Sequence, residues 1–185
     1  MDERSKRIVN TAIELAESGG YDAVRLRDVA THANVALGTV YKRFKSKEDI
    51  LLAALEREAS AFTDVFNSTQ LPGDTAEERV VSFFAMATRM LCMRAKFARA
   101  VLKAMASGDP ELTQKISKFQ ATISNLLHGA MNLDRELTAA DYQLSELLQS
   151  IWFAAMVGWM GELHDADAVI DQIRFAAHRL LHEAS

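Results

Sequence analysis

Apolar residues recur three and four apart through most of the chain, and each run breaks at a short polar or glycine-containing stretch, the spacing of amphipathic helices. Residues 5–18 place Ile8, Val9, Ala12, Ile13, Leu15 and Ala16 on one face, and Gly19-Gly20 ends the run. A short helix over 27–33 follows, with Val29 and Ala30 inward, then a tight turn at Asn34-Val35-Ala36 and a second short helix over 37–44. Ser46 with Asp49 has the spacing of a capping box and opens a long helix, 46–67. Pro72-Gly73 marks the clearest break in the chain. Thr75 with Glu78 opens another helix, to about 93, and further helices are predicted over 96–106, 110–131, 138–162 and 165–181. The pattern predicts nine helices and no strand, an all-α fold.

Composition agrees. Eight Gly and two Pro in 185 residues compare with about thirteen and nine in an average chain, which argues against a sandwich or barrel. Hydrophobic residues make up 49% and charged ones 25%, a balance that excludes disorder and collagen. The single cysteine, Cys92, excludes an internal disulfide framework and a multi-cysteine zinc site. The N-terminal residues lead into an amphipathic pattern rather than a signal peptide. The longest uncharged apolar run, 151–161, is eleven residues, too short to span a bilayer. The expectation is a soluble cytoplasmic protein without membrane contact, cofactor or metal.

Charge sharpens the picture. The formal net charge is −4, yet residues 25–47 hold six basic residues (Arg25, Arg27, Lys42, Arg43, Lys45, Lys47) against one acid, Asp28. A basic patch on an acidic chain is the electrostatic footprint of a DNA-binding module, though a solvated helix face gives the same count. The patch coincides with two short helices joined by a tight turn, the helix-turn-helix pattern. Val40 and Phe44 can anchor the second helix while Gly38, Thr39, Lys42 and Arg43 turn outward. Gly38 permits close backbone approach, Thr39 offers a hydroxyl and a methyl, and Tyr41 and Lys42 suit phosphate. Lys47 can join free N–H groups at the start of the next helix, and Arg27 has similar scope on the bracing helix. The candidate DNA-binding residues are Arg27, Leu37, Gly38, Thr39, Tyr41, Lys42, Arg43 and Lys47.

The run Ala33-Asn34-Val35-Ala36-Leu37-Gly38-Thr39-Val40-Tyr41, followed by Phe44 and Ser46-Lys47-Glu48, resembles the TetR family of transcriptional regulators. Asn34 stands where the family usually has Gly, and Arg43 where it often has His; Asn tolerates the left-handed conformation, so the turn is expected to hold. The resemblance implies a homodimer that binds palindromic double-stranded DNA as a repressor. It also implies a C-terminal domain that takes a hydrophobic small molecule and then releases the operator. The domains implied are a DNA-binding head over 1–48, a linking helix over 46–67, and an effector and dimerisation domain over 49–185. A narrower likeness to repressors of cholesterol catabolism, carried by Gly19-Gly20-Tyr21-Asp22-Ala23-Val24, Arg27 and Ile151-Trp152, implies steroid or acyl-CoA thioester effectors. Arg89, Arg94, Lys96, Arg99 and Lys103 would then supply a basic mouth.

Every Met beyond the first lies between 86 and 160, and Phe83, Phe84, Phe97, Phe119, Trp152, Phe153 and Trp159 share that region. Such residues suit a cavity for a flexible apolar ligand, and equally an ordinary core. Candidate pocket residues are Phe83, Met86, Met90, Phe97, Phe119, Trp152 and Met156. The eighth helix is apolar nearly all round, more than one core stripe requires. With the ninth it suggests a four-helix dimer interface through Ile151, Phe153, Val157, Met160, Ile173, Ala177 and Leu180.

Other signals are weaker. His178 and His182 have metal-binding spacing without a third ligand. Asp165 and Asp167 fit a helix start better than a cation site. Glu77-Glu78 and Asp134/Glu136 form no convincing acid–base pair, and neither a phosphate loop nor a nucleophile elbow is present. No enzyme is expected. The alternative reading is a helical lipid-binding carrier or adaptor whose basic patch meets anionic membrane.

Overall fold

The computed structural model describes residues 2–133 and 135–182, the last without its side chain. These form nine α-helices and no strand: α1 (Glu3–Gly19), α2 (Leu26–His32), α3 (Leu37–Arg43), α4 (Lys47–Ser68), α5 (Ala76–Cys92), α6 (Ala95–Met105), α7 (Thr113–Met131), α8 (Ala139–Met160) and α9 (Ala166–His182). Each boundary lies close to that expected from the sequence, because it is set by local chemistry. Asp2 caps α1 by accepting from the Ser5 amide at 2.8 Å, and Gly20, at φ 71°, closes it through a bond to the Ala16 carbonyl. The Thr75/Glu78 box forms in both directions. At α4 only half of the expected box is made: Ser46 Oγ accepts from the Asp49 amide at 3.1 Å, but the Asp49 carboxylate accepts from the Lys45 amide at 2.9 Å. The start of α7 differs. Asp109 accepts from the Glu111 amide at 2.9 Å and holds Pro110–Leu112 in a tight 3-10 turn, so the α-helix begins only at Thr113.

The chain forms two compact units, Met1–Glu58 with Met93–Ser117, and Ala59–Cys92 with Lys118–Ser185. In the first, Ile8, Val9, Ala12 and Ala16 of α1 are fully buried together with Val29, Val40, Ile50, Leu51 and Ala54. Small residues on α6 (Ala98, Ala100, Ala104) are fully buried too, and α6 packs on α1. Arg94 reaches both Glu17 of α1 and Glu58 of α4, and Lys96 donates to the Ser18 carbonyl at 2.6 Å. The cation on that carbonyl meets the negative end of the α1 dipole.

In the second unit α9 packs on α5 and α8. Its core is aromatic. Phe83 meets Phe62, Phe66 and Phe84 edge-to-face with centroids 5.6, 5.7 and 5.2 Å apart, and Phe84 continues to Trp152 at 5.5 Å. The Trp152 indole N–H donates to the buried Thr88 hydroxyl at 2.9 Å, which satisfies both polar groups inside the core. Arg79 donates to the Ala130 and Met131 carbonyls at 2.9 and 2.7 Å and so closes the C-terminus of α7. At the start of α8, Thr138 and Asp141 form a second reciprocal capping box. Arg135 pairs with Asp141 at 2.6 Å, and its bond is the main cause that holds this carboxyl well below the usual range.

Candidate functional site

The turn before α3 needs one residue in the left-handed region, and Asn34 supplies it at φ 51°. The Val35 amide then bonds back to the Ala30 carbonyl at 3.0 Å, which sets α3 on α2. With seven residues, α3 buries only Val40, and Phe44 anchors the exit. Its other positions face out. Gly38 is exposed, and a Cβ there would meet no atom within 4 Å, so its backbone is open to a close partner. Tyr41 is 56% exposed and Lys42 is exposed, while Leu37 and Thr39 are half-buried. Arg27 is exposed on α2.

Gly38, Thr39, Lys42 and Arg43 line a cleft of about 430 Å³ together with Arg4 of α1, a residue the sequence pattern did not single out. Arg43 is engaged there. Its Nη1 donates to Ser5 Oγ at 2.6 Å and pairs with Asp2 Oδ2 at 2.7 Å. Lys47 opens α4 and stands 3.7 Å from the centroid of the Tyr21 ring and 3.8 Å from Asp22. Lys103 of α6 lies 4.2 Å from the same ring centroid. Burial, and then the bond donated to Glu48, push the Tyr21 phenol up to about 12.

The residues expected to line a pocket fall into two groups. Phe83, Phe97 and Met156 are fully buried and Trp152 nearly so; Met86, Met90 and Phe119 are half-buried. Phe97 belongs to the first unit, where the Arg94 guanidinium stands 4.7 Å from its ring, and the others belong to the second. Of the five residues expected at a basic mouth, Arg94, Lys96 and Lys103 meet partners within the first unit.

On α8 and α9, Ile173 and Ala177 are fully buried within the chain and leave no surface for a partner. Ile151, Phe153, Val157, Met160 and Leu180 are half-buried. One exposed apolar residue of α9 is not revealed by the sequence pattern: Phe175, 66% exposed. It lines a groove of about 620 Å³ with Leu147, Ile151, Ala176 and Leu180, flanked by Asp171 and Arg179. Phe175 lies two positions from Ile173, about 200° round the helix, so an aromatic off the core stripe was the available signal.

His178 contacts Glu77 at 3.3 Å, and the His182 side chain and Asp134 lie outside the described residues. Among the described residues no three His, Cys, Asp or Glu gather as a metal site, and no helix is long and apolar enough to cross a membrane. Asp165 accepts from the Ala168 amide at 2.9 Å, a helix cap. Burial pushes the half-buried Cys92 thiol up.

An exposed, basic short helix set on a left-handed turn, with an all-helical body behind it in sequence, defines a helix-turn-helix regulator of transcription. Residues 8–54 match the model of bacterial regulatory proteins of the tetR family, and residues 73–180 match that of the tetracyclin repressor-like C-terminal domain. The chain belongs to the TetR family, a family of DNA-binding transcriptional regulators and not of enzymes. It is similar to the HTH-type transcriptional repressor KstR of Rhodococcus jostii, 28% identical over 183 residues, covering 99% of this chain and 85% of the relative. A TetR transcriptional regulator from a Rhodococcus species shares the fold with a TM-score of 0.88, at 23% identity over 98% of this chain and 97% of that one. The regulator FadR of Bacillus subtilis, solved with stearoyl-CoA, gives 0.70 at 21% identity, covering 93% and 96%.

Proposed function

We propose that this protein is a homodimeric repressor that binds a palindromic operator and leaves it when a hydrophobic small molecule, of the steroid or acyl-CoA thioester class, occupies the C-terminal domain. The observation that carries the DNA-binding half is α3, which presents Gly38, Tyr41 and Lys42 outward on a helix anchored by Val40 and, at its exit, Phe44. The head is assigned to 1–48, the linking helix to 46–67 and the effector and dimerisation domain to 49–185. Release is a population shift: the effector prefers the conformation whose two recognition helices no longer fit successive major grooves. A coupling of about 1–3 kcal/mol weakens operator binding roughly 5- to 150-fold. A stearoyl-CoA complex of a protein with this fold, and the likeness to KstR, support the effector class. The protein acts in the cytoplasm, where operator and acyl thioesters meet.

Dimerisation is assigned to the exposed face of α8 and α9 around Phe175, an aromatic anchor in an apolar groove with a charged rim. Phe175→Asp is expected to cost at least about 2 kcal/mol of association and to yield monomers by sedimentation; an unchanged dimer would move the interface elsewhere. The function itself is tested by selecting bound duplexes from a random pool and titrating the winner across salt. An inverted repeat with a steep salt slope is expected, released by stearoyl-CoA or a steroid thioester. Failure to enrich any duplex, with binding to anionic vesicles instead, would return the protein to the lipid-carrier reading.

A further inference from the structure

We propose that Arg43 is a positioning residue: it fastens the C-terminal turn of α3 to the first turn of α1 and leaves contact with the DNA backbone in that cleft to Arg4 and Lys42. The inference rests on the DNA-binding reading above. Arg43 Nη1 carries two hydrogens, and both face α1: Ser5 Oγ lies at 2.6 Å and Asp2 Oδ2 at 2.7 Å. Asp2 is held at both oxygens, since Oδ1 accepts the Ser5 amide at 2.8 Å. The Ser5 amide first, and the Arg43 guanidinium after it, bring the Asp2 carboxyl down to about 2, so it is ionised wherever DNA binding is measured.

The consequence is electrostatic. A phosphate that approaches Arg43 meets a carboxylate beside it, and the pair presents a dipole rather than a net positive charge. Only 27% of the Arg43 side chain is exposed, whereas Arg4 and Lys42, which line the same cleft, are both exposed. The consequence is also mechanical. A seven-residue helix held only by Val40 and, at its exit, Phe44 can still tilt, and base readout depends on its orientation. A charge-assisted bond from the last residue of α3 to a buried hydroxyl on α1 removes that freedom, and α1 itself is well anchored by four fully buried apolar residues.

The test uses the selected operator and a random duplex, with Arg43→Ala, Ser5→Ala and Asp2→Ser, in which Ser still caps α1. Each is expected to lower operator affinity roughly tenfold, the equivalent of one charge-assisted hydrogen bond. In Ser5→Ala, which changes no charge, random-duplex affinity and the salt slope should hold, and for every variant stoichiometric titration should show the full fraction of active protein. The double variant Arg43→Ala, Ser5→Ala should be no worse than Arg43→Ala alone. Arg4→Ala is expected to behave otherwise: weaker on both duplexes, with the slope reduced by about 0.9 for each phosphate that is no longer neutralised. The proposal is overturned if Arg43→Ala shows that phosphate pattern while Ser5→Ala and Asp2→Ser leave affinity unchanged or raise it. If Arg43→Ala does not fold, the Ser5 and Asp2 variants decide alone. A wild type that enriches no duplex fails the DNA-binding reading and this proposal together; a wild type that binds, with variants in the second pattern, fails this proposal only.

Discussion

The two compact units cohere through different physics. The first is laced with charge: Arg94 joins Glu17 to Glu58, Lys115 meets Asp49, Lys45 meets Glu111 at 3.0 Å, and Arg43 ties α3 to α1. The second is held by rings, with Phe83 at the centre of Phe62, Phe66 and Phe84, and Trp152 beyond. On the reading proposed above, the first unit carries the DNA reader and the second most of the effector domain, and the difference follows from those tasks. A DNA reader presents its chemistry outward from short helices, which leaves little apolar area to bury and makes polar ties useful. An effector domain needs an interior, and there the groups that give stability and those that could meet a ligand are the same residue types.

Phe83 gives that contrast its largest test. It is fully buried and touches three other rings. As a core residue it should cost about 3–5 kcal/mol on truncation to Ala, read from urea unfolding. Met86, half-buried a turn along α5, serves as the reference. A loss near that of Met86→Ala, joined to a changed effector affinity, would instead make Phe83 a cavity wall.

Gly38 makes the opposite test in the head. Ala there meets nothing within 4 Å and removes the flexibility of Gly from a helix, so the fold should be unharmed or gain up to about 1 kcal/mol. Operator affinity should nevertheless fall, by about 1–3 kcal/mol if the added methyl meets a base edge. Stability and affinity thus move in opposite directions at one residue. A variant that keeps its operator affinity would show that the α3 backbone does not approach the groove closely.

Most of the fold was legible in the sequence because helix ends depend on neighbours three or four residues away. Asp2, Gly20, Asn34 and Thr138 each act within their own turn. The exposed face of α3 was legible for a related reason: a short helix that buries only Val40, with Phe44 at its exit, leaves few choices for its remaining positions. What stayed hidden depends on partners far along the chain. The Arg43 bond spans 38 residues to Ser5, so no pattern around α3 announces it. Ile173 and Phe175 are both apolar on one helix, and only the packing of α9 on α5 and α8 separates the buried face from the exposed one. The partners of Arg94 and Lys96, namely Glu17, Glu58 and the Ser18 carbonyl, likewise lie 36 to 78 residues away.

The smallest expected effect addresses the comparison most directly. Raising salt from 0.1 to 1 M shortens the screening length from about 10 to 3 Å, and partly exposed ion pairs contribute only about 0.2–1 kcal/mol each. Loss of one pair multiplies a local opening equilibrium roughly 1.4- to fivefold. Hydrogen exchange should therefore quicken in α1 and α6, whose amides depend on Arg94 and Lys96, by about that factor. Exchange in α5 and α9 should hold or slow, because apolar burial is not screened and some salts strengthen it. Arg94→Met separates the two contributions: it keeps much of the side-chain volume, removes the charge, and should abolish the salt response of α1. Equal acceleration in both units would mean that the ion pairs decorate the head without holding it, and that its small-residue packing of α6 on α1 suffices.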